Sequence, residues 1–227
     1  MHAHTDDFAG ARGPTVAHDS NCSACILAST CLMAHSGVLP QPRPRQIEFK
    51  KSGIIYSAGF PADAVFAVSS GSVSLTLVDP MGKARIVRFV RSGELFGLDS
   101  LLPSGTRVFS AMAREQSRLC FVARTAFYDS MRDDRDRMWQ LLLVLNNLLH
   151  DDDLQKMWMS GQPVRKRLQT AISRFRNTTD TAPLGDNVVM PIKQWELAQF
   201  LGISAETASR GMKAIRAGRT SPHSLRV

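Results

Sequence analysis

Between residues 53 and 105 the chain places glycine at 53, 59, 71, 82, 93, 97 and 105, an interval of roughly ten residues. Short β-branched and aromatic runs fall in and beyond this rhythm: Ile54 to Tyr56, Ala64 to Val68, Val73 to Val78, Ile86 to Val90, Val108-Phe109 and Leu119 to Val122. Runs of this length punctuated by turn residues are the pattern of a β-sandwich or jelly roll. No run approaches the ~20 apolar residues that a membrane-spanning helix needs.

From about Arg132 to Ser160 the period becomes helical, and the Gly161-Gln162-Pro163 break ends it. One long helix is expected. Met138, Leu142, Leu145, Leu149, Asp152, Lys156 and Met159 recur at alternating spacings of four and three, with Leu141 and Leu148 widening the stripe. Such a seam is that of a coiled coil, so the helix is expected to form a homodimer interface. Asp152 stands in that seam where Leu or Ile would normally stand. Leu145, Leu149 and Asp152 are therefore the candidate dimer switch.

The charge is concentrated at one end. Of a formal net charge of +8, residues 162–227 hold eleven Lys and Arg against four Asp and Glu, a net of +7. A basic module on a near-neutral body points to a polyanionic partner, with double-stranded DNA the first choice. Within it, Gln194 to Leu201 reads as a short helix, Gly202-Ile203-Ser204 as a tight turn with Ser204 as N-cap, and Ala205 to Arg216 as a second helix. Ala208 and Ile215 face inward with Leu197, Leu201 and Ile203. Glu206, Ser209, Arg210 and Lys213 fall at i, i+3, i+4 and i+7 on the opposite face. In a helix-turn-helix that face enters the major groove. There Arg210 can donate twice to guanine, Glu206 can accept from a cytosine amine, and Ser209 can meet a base edge or a phosphate.

The opening residues to about Gly13 lack the apolar core of a secretory signal, so a cytoplasmic protein is expected, with thiols kept reduced. Of the four cysteines, Cys22, Cys25 and Cys31 form a C-x2-C-x5-C cluster and Cys120 lies on an expected strand. Three thiolates on a short arm and one from the folded body can close around a single metal centre. The spacing suits zinc and iron–sulfur alike. The arm, to about Pro44, is short of large apolar residues and is expected to be tied down by something other than a core. Nucleotide loops, paired catalytic carboxylates and Ser/His/Asp arrangements do not stand out, so an enzyme is not expected.

These features together resemble one family. Cys22-Ser-Ala-Cys-Ile-Leu-Ala-Ser-Thr-Cys31, the separation to Cys120, the Ser92-Gly-Glu-Leu-Phe-Gly97 turn and Leu201-Gly-Ile-Ser-Ala-Glu-Thr-Ala-Ser-Arg210 are similar to the FNR-type (fumarate and nitrate reduction) regulators of the cyclic AMP receptor protein/FNR superfamily. The resemblance implies an α+β architecture. It comprises an N-terminal arm (1–44), a β-roll or jelly-roll sensor domain (45–130), a long dimerisation helix (131–161) and a winged-helix-type helix-turn-helix domain (162–227). It also implies a [4Fe–4S] cluster on Cys22, Cys25, Cys31 and Cys120 that favours the DNA-binding dimer without oxygen and is degraded by oxygen. DNA reading is implied for Glu206, Ser209 and Arg210 at TTGAT-like inverted repeats, with RNA polymerase as a further partner. Two departures stand out. Only Gly218 to Val227 follows the recognition helix, so the wing is expected to be short or missing. Lys83, near the Gly82 turn, stands where the family usually carries an acidic residue at its polymerase contact, which leaves repression open beside activation.

Two alternatives share the fold. A cyclic nucleotide in the β-roll could use Glu94 for the ribose, but Ser104 to Ser110 lacks the family's phosphate-binding Arg-Ser pair and offers only Arg107. Structural zinc could replace the iron–sulfur cluster.

Overall fold

The computed structural model of the chain describes residues 15–19, 22, 31–33, 43–82, 84–175 and 193–216. It divides into two compact units, Met1–Leu145 and Asn146–Val227. The boundary falls inside the long helix, so its first part is built into the sensor unit.

The first unit is a β-sandwich. Its strands are β1 (Thr15–Asp19), β2 (Arg45–Phe49), β3 (Ile54–Tyr56), β4 (Ala64–Ser70), β5 (Ser72–Val78), β6 (Ala84–Arg91), β7 (Leu95–Phe96), β8 (Ser110–Ala113) and β9 (Ser117–Ala123). One sheet has the order β1-β2-β9-β4-β7 and the other β3-β8-β5-β6. Both β4 and β9 bury residues on their two faces, although Arg118 of β9 is exposed. Phe66, Val68 and Leu119 point between the sheets with Phe49, Tyr56, Val73 and Phe96. Val65, Ala67, Cys120 and Val122 point the other way, into a second core. The glycine rhythm thus locates most strands. The run at Val108-Phe109 lies just before its strand: Asp99 accepts the Val108 N–H, and the ladder begins at Ser110.

The second core is closed by α1 (Arg124–Arg132) and the start of α2 (Arg135–Gly161). Ala126, Phe127 and Met131 of α1 and Leu141 of α2 are buried in it, with Val144 and Leu145 packed partly against it. The expected long helix is α2, and α1 is a separate short helix that precedes it. Asp133 caps α1, and the Asp134 carboxylate accepts the Arg137 N–H at 2.9 Å, as an N-cap does at the start of a new helix. Leu32 and Met33 of the N-terminal arm are also buried in this core. This corrects the expectation that something other than a core holds the arm; strand β1 and these two side chains hold it at either end of the cysteine cluster.

In the second unit α3 (Val164–Phe175), α4 (Gln194–Leu201) and α5 (Ala205–Arg216) pack around Leu168, Ile172, Leu197, Leu201, Ala208, Met212 and Ile215. Gly202 ends α4 in the left-handed conformation, φ 63°, the usual glycine stop. The Ser204 Oγ accepts the Thr207 N–H at 3.1 Å, the N-cap expected for α5. Gly211 lets α5 approach α3, since a Cβ there would collide with Leu168. Lys83 and the 217–227 segment, on which the expectations about the polymerase turn and the wing rest, lie outside the described residues.

Candidate thiol site and nucleic-acid interface

Cys120 lies in the middle of β9, is buried, and faces the second core. Cys31 is half-buried and packs against the same core, because the neighbouring Leu32 and Met33 are buried there. The fold therefore draws one thiol of the arm and the thiol of the body into a single packed cluster. Cys22 is half-buried, and Cys25 lies outside the described residues. Among the described residues no group of three or more His, Cys, Asp or Glu side chains is assembled around one point. The donors that do meet here are sulfurs in an apolar setting, which suits a thiolate-bound cluster better than an oxygen-ligated ion.

The same core contains Leu141, with Val144 and Leu145 against it. On the remaining circumference of α2, Met138, Trp139, Leu142 and Leu149 are exposed, Trp139 at 60% and Leu149 at 65%. A helix half committed to a core with large apolar residues on its free side is built to be covered by a partner. Of the candidate switch residues, Leu145 leans on the sensor core, while Leu149 and Asp152 face outward. Lys156, from the same seam, is exposed and pairs with Asp153 at 3.4 Å.

The interior of the β-roll is occupied by its own side chains. Arg107 is buried, with Nη1 donating to the Gly97 carbonyl at 3.0 Å and to Asp99 at 2.9 Å, and Nη2 donating to the Ala64 carbonyl at 2.7 Å. Its guanidinium lies 4.2 Å over the Tyr56 ring. Burial pushes the Tyr56 phenol well above its usual range; Asp99 adds to this, while Arg107 and Arg88 oppose it. Glu94 is engaged by Arg88 at 3.3 Å and by the Arg91 N–H at 3.2 Å. Arg107, the candidate phosphate ligand, is thus committed to the protein itself, whereas Glu94 pairs with Arg88 at the surface, its side chain 43% exposed.

On α5 the sequence pattern and the structure coincide. Glu206, Arg210 and Lys213 are exposed and Ser209 is half-buried, while Thr207, Ala208, Met212 and Ile215 face the core. Arg210 and Glu206 lie one turn apart at 3.7 Å, so the free helix presents a paired donor and acceptor. Arg167 on α3 donates to the Leu201 carbonyl at 3.3 Å, tying α3 to the end of α4.

Sequence reasoning weighed Arg107 only as a phosphate ligand and missed its partner Asp99. It also missed Gln46, whose amide meets Cys120. The first contact closes a loop of eight residues and the second joins strands 74 residues apart, and no local motif announces either.

Residues 46–134 match the family model of the cyclic nucleotide-binding domain. The cyclic AMP receptor protein of Thermus thermophilus is 30% identical over 161 residues, covering 71% of this chain and 72% of that protein. A protein of Pasteurella multocida named anaerobic regulatory protein is 22% identical over 204 residues, 84% of this chain and 71% of its own length. Among solved structures, that of FixK2 from Bradyrhizobium japonicum superposes with a TM-score of 0.64 at 19% identity, covering 80% of this chain and 90% of that one.

Proposed function

Since the chain belongs to the cyclic AMP receptor protein/FNR family of transcription regulators, we propose that it is an oxygen-responsive member. On this reading a [4Fe–4S] cluster on Cys22, Cys25, Cys31 and Cys120 controls dimerisation and binding to TTGAT-like inverted repeats. The observation that carries the reading is the shared core: Cys31 and Cys120 pack in one cluster with Leu141, Val144 and Leu145 of α2. Closing four thiolates on one centre draws the arm onto β9 and stiffens the surface against which the helix packs. Such a cluster supplies thiolate-held iron that dioxygen attacks. A relative named for anaerobic regulation supports the same signal, and the burial of Arg107 in its pair with Asp99 argues against a cyclic nucleotide. The protein is expected to act in the cytoplasm, with RNA polymerase as a partner. Fluorescence anisotropy with a duplex bearing the repeat tests the proposal: tight binding without oxygen and loss after exposure to air support it, while equal binding in both refutes it.

Arg210→Ala is expected to cost about 1–3 kcal/mol at the specific site and to relax preference at one base pair, as the loss of a bidentate guanine contact does. Lys213→Ala should instead weaken all sequences alike and reduce the salt slope by about one unit, the mark of a phosphate contact. Titrations against operators with each base pair changed in turn separate the two. An Arg210→Ala protein with unaltered base preference contradicts the assignment.

Across a two-fold axis Asp152 faces its own copy, flanked by Asp151 and Asp153. Two carboxylates about 4 Å apart repel by roughly 1 kcal/mol in water and by more when partly desolvated. The dimer is thereby kept marginal, so that a few kcal/mol from the closed thiol site shift the population. Asp152→Leu should then dimerise in air without any cluster, measured by size-exclusion chromatography with light scattering. A variant as monomeric as the wild type removes Asp152 from the switch.

A further inference from the structure

Strand β2 pairs with β9, and its register sets Gln46 directly opposite Cys120. Directly opposed residues of an antiparallel pair carry their side chains on the same face. Accordingly the Gln46 Nε2 donates to the Cys120 sulfur at 3.9 Å. Gln46 is half-buried, whereas Val65, Ala67, Leu95 and Val122, which share the packed cluster of Cys120, are apolar. In such a setting, an amide donor aimed at a thiolate withdraws charge from it with little competition from water.

We propose that Gln46 is a positioning residue for the thiol site: its amide N–H orients the Cys120 sulfur toward a bound iron–sulfur cluster and stabilises added negative charge there. The inference rests on the cluster reading given above. Hydrogen bonds to cluster sulfurs help set the reduction potential, and outer partners of metal ligands commonly hold the metal in place. The step concerned is the uptake of one electron by the bound cluster from an added low-potential reductant, with no proton moved and no bond made or broken. Because the donor favours the more negative state, removing it makes that electron harder to add. Gln46 thereby joins the cysteines as a determinant of how readily this regulator's centre changes state.

The test compares wild type, Gln46→Leu and Gln46→Glu, all purified without oxygen. Leucine lacks a donor, and the glutamate keeps the length of the side chain but offers a carboxylate in place of the N–H. Iron and sulfide are counted first. Spectroelectrochemical titration should then show the oxidised-to-reduced ratio at a fixed potential rising about threefold in Gln46→Leu, a midpoint lower by about 30 mV, and rising further in Gln46→Glu. Loss of iron to a chelator should be about 10-fold faster in both. Midpoints and loss rates equal to wild type, in proteins of unchanged circular dichroism, overturn the role of Gln46. If Gln46→Leu fails to fold, Gln46→Glu decides. A wild-type protein without iron and sulfide overturns the cluster reading itself and this inference with it, so the two failures are told apart by the first assay.

Discussion

Asp99→Ala should destabilise the sensor unit by about 3–5 kcal/mol, the penalty for taking the buried carboxylate from a buried charge whose other acidic neighbour, Asp63, is exposed and lies at 3.7 Å. Arg107 and Asp99 are both buried, their side chains 1% and 4% exposed, and they meet at 2.9 Å. Asp99 also accepts the Val108 N–H, so its loss orphans a backbone donor as well. Arg107 in turn bridges β4 at Ala64, the turn at Gly97 and the face of Tyr56, joining three separate segments of the roll. Relaxation of the guanidinium toward solvent would require opening the sandwich. Urea unfolding followed by circular dichroism measures the change. A loss below about 1 kcal/mol would show that water reaches Arg107 freely and that the pair is not a strut of the fold.

Cys120→Ser should abolish the iron and sulfide content and, with it, oxygen-dependent DNA binding. Cys120 is the one ligand of the proposed set that belongs to a regular strand, with neighbours on both sides. The other three lie on the arm between β1 and the buried Leu32 and Met33. Without the fixed thiolate the arm would hold a three-ligand site open to solvent, and the coupling to α2 through the common core would be lost. Serine is nearly isosteric, so the fold should persist and the defect should be confined to the centre. Iron and sulfide assays beside anisotropy on the operator duplex decide it; normal cluster content and normal DNA binding in this variant would remove Cys120 from the ligand set.

Much of this architecture is legible because it is periodic or local. The β4 run Ala64 to Val68 and the β5 run Val73 to Val78 are bounded by turn residues, and the strands fall close to those limits. The recognition helix is fixed by Gly202 and Ser204, whose roles depend only on their immediate neighbours, and its limits agree with the pattern. The long helix expected from Arg132 to Ser160 is found as α2, whereas α1, only nine residues long, is too short to show a helical period of its own. β1 lacks a β-rich composition and forms because β2 offers it an edge. The thiol site is legible as a spacing, but which thiols meet depends on Leu32 and Met33 finding the core. Arg107 and Asp99 are eight residues apart across a loop, and nothing in their sequence distinguishes a buried ion pair from two surface charges. Gln46 owes its place to register alone, which no local pattern encodes.

On the proposed reading one thiol-held cluster and one helix decide together whether the chain is a dimer. Sedimentation velocity of protein purified without oxygen, detected by the visible absorption of the cluster itself, reads both at once. The expected result is a coloured species moving as a dimer, replaced after air is admitted by a colourless monomer. A colourless preparation, or colour that sediments as a monomer, would contradict it.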